Sequence, residues 1–273
     1  MLAISQSGTT YHYLNWIPSE RGPLVTQHGS IQKEVENPDH IDQYYYDVLD
    51  EIFSKVDNGD PICTFSLDRN HVLFSTCFAE DNNPELIDWH LTQALDGKLK
   101  EVVDYYHYPM AQESGKMLNI GVPKNIRQSF QSNMRLLKSK LNGISVGIFS
   151  AETGARQWMQ ADKHESYLIW KIGKKKMDEL LLIQNGSLVT YFSFHRSGKK
   201  GKMMWQFGDG TAANLIIQDI LKVQSEKSTK FSSAKQVFIY TSDGNIKDIK
   251  FFHQLNLENL TLLNPLMVLE STE

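Results

Sequence analysis

Four short stretches carry the residue types that could hold an anion or move a phosphoryl group. Ser7, Gly8, Thr9 and Thr10 follow an apolar run, and a turn of small residues offers backbone amides and hydroxyls as donors. Lys171, Ile172, Gly173 and Lys174 form the second, with Lys175 and Lys176 continuing the charge. Ammonium groups there suit a phosphate or an acidic protein surface. Asp209 and Gly210 stand before an amphipathic run, where a helix N-terminus favours anions. The fourth is the turn Thr241, Ser242, Asp243, Gly244 and Asn245, which follows a buried-looking run. Each has a plain structural alternative: a polar β-turn, a solvated hairpin tip, a helix cap and a tight turn.

Other constellations lead elsewhere. The loop Gly198, Lys199, Lys200, Gly201, Lys202 lacks the spacing of a nucleotide P-loop and reads as a hairpin connection. Asp88, His90, His107, His164 and Glu165 offer no pair at i and i+4 for a metal. Cys63 and Cys77, the two cysteines of the chain, lie in apolar runs and read as buried free thiols. Tyr45 is expected to face a core, leaving Tyr44 or Tyr46 for a partner surface, and Trp205 is expected in core or rim packing.

These stretches need elements to position them. Leu2 to Ser5, Tyr11 to Ile17 and Leu24 to Ser30 predict an antiparallel meander, and Tyr167 to Ile172, Glu179 to Gln184 and Leu188 to Phe194 predict a second. Pro38 to Val56 and Asn83 to Leu95 predict helices; Pro61 to Leu67 and His71 to Phe78 predict a hairpin joined by Asp68 to Asn70. Strands follow at Glu101 to Pro109 and Met117 to Val122. Pro123 is then expected as the first residue of a helix reaching Leu141, closed by Asn142 and Gly143. A strand Ile144 to Phe149 and a helix Ala151 to Met159 precede the second meander. After it, a polar loop His195 to Lys202 leads to a helix from Asp209 to Thr211 onward, a strand Val237 to Tyr240 and a last helix through Leu255. Meander, helix, strand, helix thus occurs twice, across 273 residues able to bury a sizeable core.

This order resembles the actin, sugar-kinase and heat-shock-chaperone ATPases, and more closely the PilM family or a related bacterial actin-like family. Leu86 to Tyr106, Asn119 to Gly143, and Asn264 with Pro265 carry the closer likeness. The resemblance implies an α/β, two-lobed, actin-like (ribonuclease-H-like) duplicated fold, each lobe a mixed sheet with an antiparallel three-strand meander and crossover helices. The first lobe is expected over 1–150 with an insertion near 61–122, and the second over 151–273.

In working members each phosphate loop reads Asp, apolar, Gly, and the Asp positions a hydrated magnesium ion beside ATP. Here Ser5 stands at the first Asp position and Lys171 at the second, while Gly8 and Gly173 persist. A Gly-Gly turn that receives adenosine is reduced to Gly244. The resemblance therefore implies a vestigial nucleotide cleft at Ser7, Gly8, Thr9, Thr10, Gly173, Lys174, Asp209, Gly210 and Gly244, with no catalytic residue, no metal and no cofactor. It also implies a scaffold for a protein partner, a peptide of a membrane-associated assembly. The rival is a phosphotransferase that binds ATP with a relocated acid such as Asp209 or Asp243. A formal charge of −4 argues against a nucleic-acid binder, and the lack of a long apolar run against membrane insertion, so a cytoplasmic location is expected.

Overall fold

In a computed structural model the chain is described over residues 1–19, 24–34, 41–56, 61–78, 85–86, 89, 102–111, 115–162, 164–173, 177–197, 200–225, 230–241 and 259–263. The first mixed sheet uses β1 (Leu2–Ser7), β2 (Thr10–Ile17), β3 (Leu24–Gln32), β4 (Ile62–Leu67) and β8 (Lys140–Val146) in the order β3-β2-β1-β4-β8. β1 to β3 form the expected antiparallel meander, and β4 and β8 add in parallel. The second uses β9 (Ser166–Ile172), β10 (Met177–Gln184), β11 (Ser187–Ser197), β12 (Lys200–Gly208), β13 (Gln236–Thr241) and β14 (Leu260–Leu262) in the order β12-β11-β10-β9-β13-β14. β9 with β10 and β11 repeats the pattern of β1 with β2 and β3, and β13 lies parallel to β9 as β4 does to β1.

A third sheet, β5 (Leu73–Phe78), β7 (Lys116–Pro123) and β6 (Val102–Pro109) in the order β5-β7-β6, is inserted between β4 and β8. β4 and β5 are therefore not the expected hairpin. A 3-10 turn at Arg69–His71 redirects the chain, so that β4 stays beside β1 while β5 pairs with β7.

Helices α1 (Ile41–Phe53), α2 (Lys124–Leu136), α3 (Gly147–Trp158) and α4 (Gly210–Gln224) pack on these sheets. α1 presents Tyr45, Val48, Leu49 and Ile52, and α2 presents Ile126, Phe130 and Met134, to one core that continues into Tyr167, Leu181, Tyr191 and Phe238 of the second half. Trp170, Leu180, Phe192, Phe194, Ile216 and Ile220 belong to a second cluster under α4.

Several expectations need correction. α2 stops at Leu136, not Leu141, because Lys138 takes a left-handed conformation at φ 53°. Ser139 N donates to Met134 O and Lys138 N to Arg135 O, so a lysine closes the Schellman motif usually left to glycine. Leu141 and Gly143 then lie in β8 against Cys63 and Thr64, and α3 begins at Gly147. Pro123 precedes α2 as its cap residue, at ψ 139°. The stretch read as a polar loop at 195–202 belongs largely to strands, since β11 runs to Ser197 and β12 starts at Lys200. The second meander thus gains a fourth strand. Tyr44 is buried, its hydroxyl 2.7 Å from that of Tyr11, which removes it from the surface. The helices expected near 83–95 and before Leu255 fall mostly outside the described residues.

Candidate functional site

β1 and β9 end side by side in a small cleft between the two large sheets. It is lined by Ser7, Gly8, Asp68, Arg69 and Asn70 on one side, and by Lys171, Gly173, Met177, Glu179, Ser193 and Trp205 on the other, with a volume of about 290 Å³. Gly8 takes φ +58°, which few side chains tolerate, and brings a backbone amide to the cleft wall. That amide already has an acceptor within the chain: it donates to Asp68 Oδ2 at 2.8 Å. Asp68 follows β4 directly, so the parallel β1–β4 pairing brings the carboxylate to the Gly8 turn.

Lys171 is positioned by register. Glu179 faces it across the antiparallel β9–β10 pair, and Tyr240 across the parallel β9–β13 pair. Its Nζ donates to Glu179 Oε1 at 3.0 Å, and the side chain is 7% exposed. Tyr191 donates its hydroxyl to Glu179 Oε2 at 2.8 Å. The ammonium lies near the start of α3: a Cβ placed on Gly147 would stand 3.9 Å from it. Burial and the positive end of a helix both disfavour a cation there. Burial is the largest influence and lowers the Lys171 pKa, but Glu179 and Asp68 together outweigh it and hold the group charged. Asp68 shows the reciprocal effect: burial raises its pKa, and Lys171, the Gly8 amide and His71 bring it below the ordinary range. The Tyr240 hydroxyl is buried with no partner among the described residues.

Arg69 completes the bridge between the halves. Its guanidinium carbon sits 3.4 Å from the centroid of the Trp205 ring, a cation–π contact that gives Trp205 a place on the cleft wall. Beneath it Phe74 of β5 packs on Tyr191 and Phe207, with centroids 5.6 and 5.7 Å apart. The inserted sheet is tied to the second half again at Met110, which bridges to Leu188, and Ala111 N donates to Leu188 O at 2.8 Å.

The end of β9 is fixed from below. Asp178 Oδ1 accepts from Gly173 N at 3.3 Å, Asp178 Oδ2 accepts from Trp170 Nε1 at 2.8 Å, and Arg196 Nε lies 2.6 Å from Oδ2. Burial pushes the Asp178 carboxyl up to about 6, against the opposing pull of Arg196 and these donors. A Cβ on Gly173 would meet Met177 O at 1.7 Å, so glycine is required by close backbone approach.

Of the residues singled out from sequence, Ser7, Gly8 and Gly173 line the cleft, as does Lys171. Ser5 sits between His12 and Ser66 in the sheet, behind that lining. Thr9 accepts from Lys33 N and Thr10 pairs with Ser7 and Gln32. Asp209 caps α4, accepting from Thr211 N at 2.7 Å and Ala212 N at 3.3 Å; neither it nor Gly210 lines the cleft. Lys174 and Gly244 lie outside the described residues. Asp68, Arg69, Glu179, Tyr191 and Tyr240 were not singled out. One signal was legible: a lysine inside the apolar run Leu168 to Ile172 needs a buried carboxylate partner. Among the described residues no group of three or more His, Cys, Asp or Glu could hold a metal.

A larger cavity of about 640 Å³ lies where the 3-10 turn and the start of β5 meet the start of α2. Asn70, His71, Leu73, Lys124, Asn125 and Gln128 are among its walls.

No protein-family model matches the sequence, and no curated protein does. Solved structures do. A PilM–PilN type IV pilus biogenesis complex aligns over 98% of this chain and 89% of its own, at TM-score 0.58 and 10% identity. The cytoplasmic domain of EpsL, an inner-membrane component of the type II secretion system of Vibrio cholerae, covers 96% and 85% at TM-score 0.47 and 11% identity. An inorganic polyphosphate/ATP-glucomannokinase from an Arthrobacter strain covers 97% and 90% at TM-score 0.42 and 12% identity. The chain has the two-lobed, actin-like fold.

Proposed function

We propose that this chain is a non-enzymatic, PilM-like scaffold whose nucleotide cleft is satisfied by its own charges, and that it holds a protein partner. The observation that carries this reading is the Lys171 ammonium seated on Glu179 beside Asp68, with the Gly8 amide already bonded to Asp68. A triphosphate would have to displace Asp68 from Gly8, and magnesium would have to share the site with a buried ammonium. The volume of about 290 Å³ is also at the lower end of small-molecule pockets, which run from about 300 to 1,000 Å³.

The partner in this reading is a peptide of a membrane-associated assembly; the alignment with a protein of a pilus-biogenesis complex supports a protein partner, and the larger cavity beside α2 offers it room. No helix among the described residues is long and apolar enough to cross a membrane. The phosphotransferase alternative requires a free acid at the cleft. Asp209 is committed to capping α4, and Asp243 lies outside the described residues.

Thermal unfolding with ATP, magnesium and both together tests the reading. Unchanged midpoints and no phosphate release are expected. Magnesium-dependent stabilisation with turnover that disappears on changing Gly8 or Gly173 would sink it.

A further inference from the structure

The two large sheets guard their edges unequally. At an exposed strand edge, unpaired backbone donors and acceptors invite another strand, and charged residues, prolines or very short strands normally discourage it. β12 carries Lys200 and Lys202, β8 carries Lys140, and β14 has three residues. β3 has none of these devices. Its nine residues, Leu24 to Gln32, include no charge and no proline, and among the described residues it pairs with β2 alone. A bulge at Thr26 interrupts its start, but Gln27 to Gln32 keep unbroken register with Asn15 to Thr10. Gly29, which would weaken a strand, is covered by the ring of Tyr13 from β2. His28, Ser30 and Gln32 are exposed, and Leu24 and Val25 are 55% and 48% exposed beside Ile17 at 42%.

We infer that β3 is a pairing edge for a second copy of this chain, joining two five-stranded sheets antiparallel across a twofold axis near Gly29. An occupant must be an extended strand, because only that shape meets a row of backbone groups in register. A second copy suits it in charge: the same uncharged segment faces itself, with no like-charged pair opposed across the joint. With the axis near Gly29, Leu24 and Val25 of each copy lie at the ends of the joint, opposite Glu34 and Lys33 just past the other copy's strand. The joined sheet has ten strands, within the range of open twisted sheets.

Sedimentation equilibrium of the full chain over a range of concentrations tests the proposal. The wild type is expected to dimerise, and the double variant His28→Lys with Ser30→Lys to raise the dimer dissociation constant by about tenfold or more. Leu215→Lys, which adds charge at an exposed site on α4, serves as the control and is expected to leave association unchanged. Circular dichroism melting of both variants shows that they are folded; if the double variant is not, Ser30→Lys alone is read in its place. A wild type that stays monomeric throughout, or a dimer that the β3 lysines do not weaken, overturns the proposal.

Discussion

Replacing Lys171 by methionine keeps most of the side-chain volume and removes the charge. In the wild type the ammonium lies 3.0 Å from Glu179, with the two side chains 7% and 15% exposed, and it also stabilises Asp68. Breaking a buried pair from one side costs about 3–5 kcal/mol. Glu179 keeps the Tyr191 hydroxyl and slight access to water, which brings the cost to the bottom of that range or just below it, about 2–3 kcal/mol. For a chain of this size that corresponds to a fall of about 5–8 °C in melting temperature. Denaturant unfolding at neutral pH gives the free energy directly, and a pH series adds a second check. Because the pKa of Asp68 is depressed in the folded protein, the stability it contributes is present above about pH 4 and lost as pH falls through its folded value. The gap between wild type and Lys171→Met should therefore narrow in acid. A loss below about 0.5 kcal/mol, or a gap indifferent to acid, would refute the view that Lys171 neutralises the cleft.

The two cleft glycines should respond very differently to alanine. Gly8→Ala meets open space and faces only the left-handed backbone penalty of about 1–2 kcal/mol, whereas Gly173→Ala collides with Met177 O and should cost about 3 kcal/mol or more; equal effects in urea titrations would contradict the turn geometry. Asp178, with its carboxyl raised to about 6, holds a proton more tightly when folded. The stability of wild type relative to Asp178→Asn should thus fall as pH rises from about 4 to 6, and a difference that grows over that window would show that Arg196, not burial, governs the site.

Much of the fold was legible because it is written in local pattern. Both meanders alternate or run apolar between glycine-bearing turns, and their duplication pointed to two similar sheets before any contact was known. The misplaced end of α2 has a physical reason: Lys138 closes the helix in a conformation that glycine usually signals, so the apolar stripe seemed to continue through Leu141. β12 was hidden by the lysines around its start and by Met203 to Phe207, which do not alternate cleanly. At the cleft, sequence pointed to Ser7, Gly8, Lys171 and Gly173, which line it, whereas Ser5, read as standing at an acid position, lies back in the sheet between His12 and Ser66. Asp68 and Glu179 could not be read from spacing, since one reaches Gly8 through β1–β4 pairing and the other reaches Lys171 through hairpin register. Tertiary pairing decides both.

A crystal structure grown in saturating magnesium and ATP addresses the self-neutralised cleft most directly. Lys171 is expected to remain on Glu179, and Asp68 on the Gly8 amide, with no nucleotide between Gly8 and Gly173. Triphosphate density on the Gly8 amide, with Asp68 displaced onto a magnesium ion, would contradict the account.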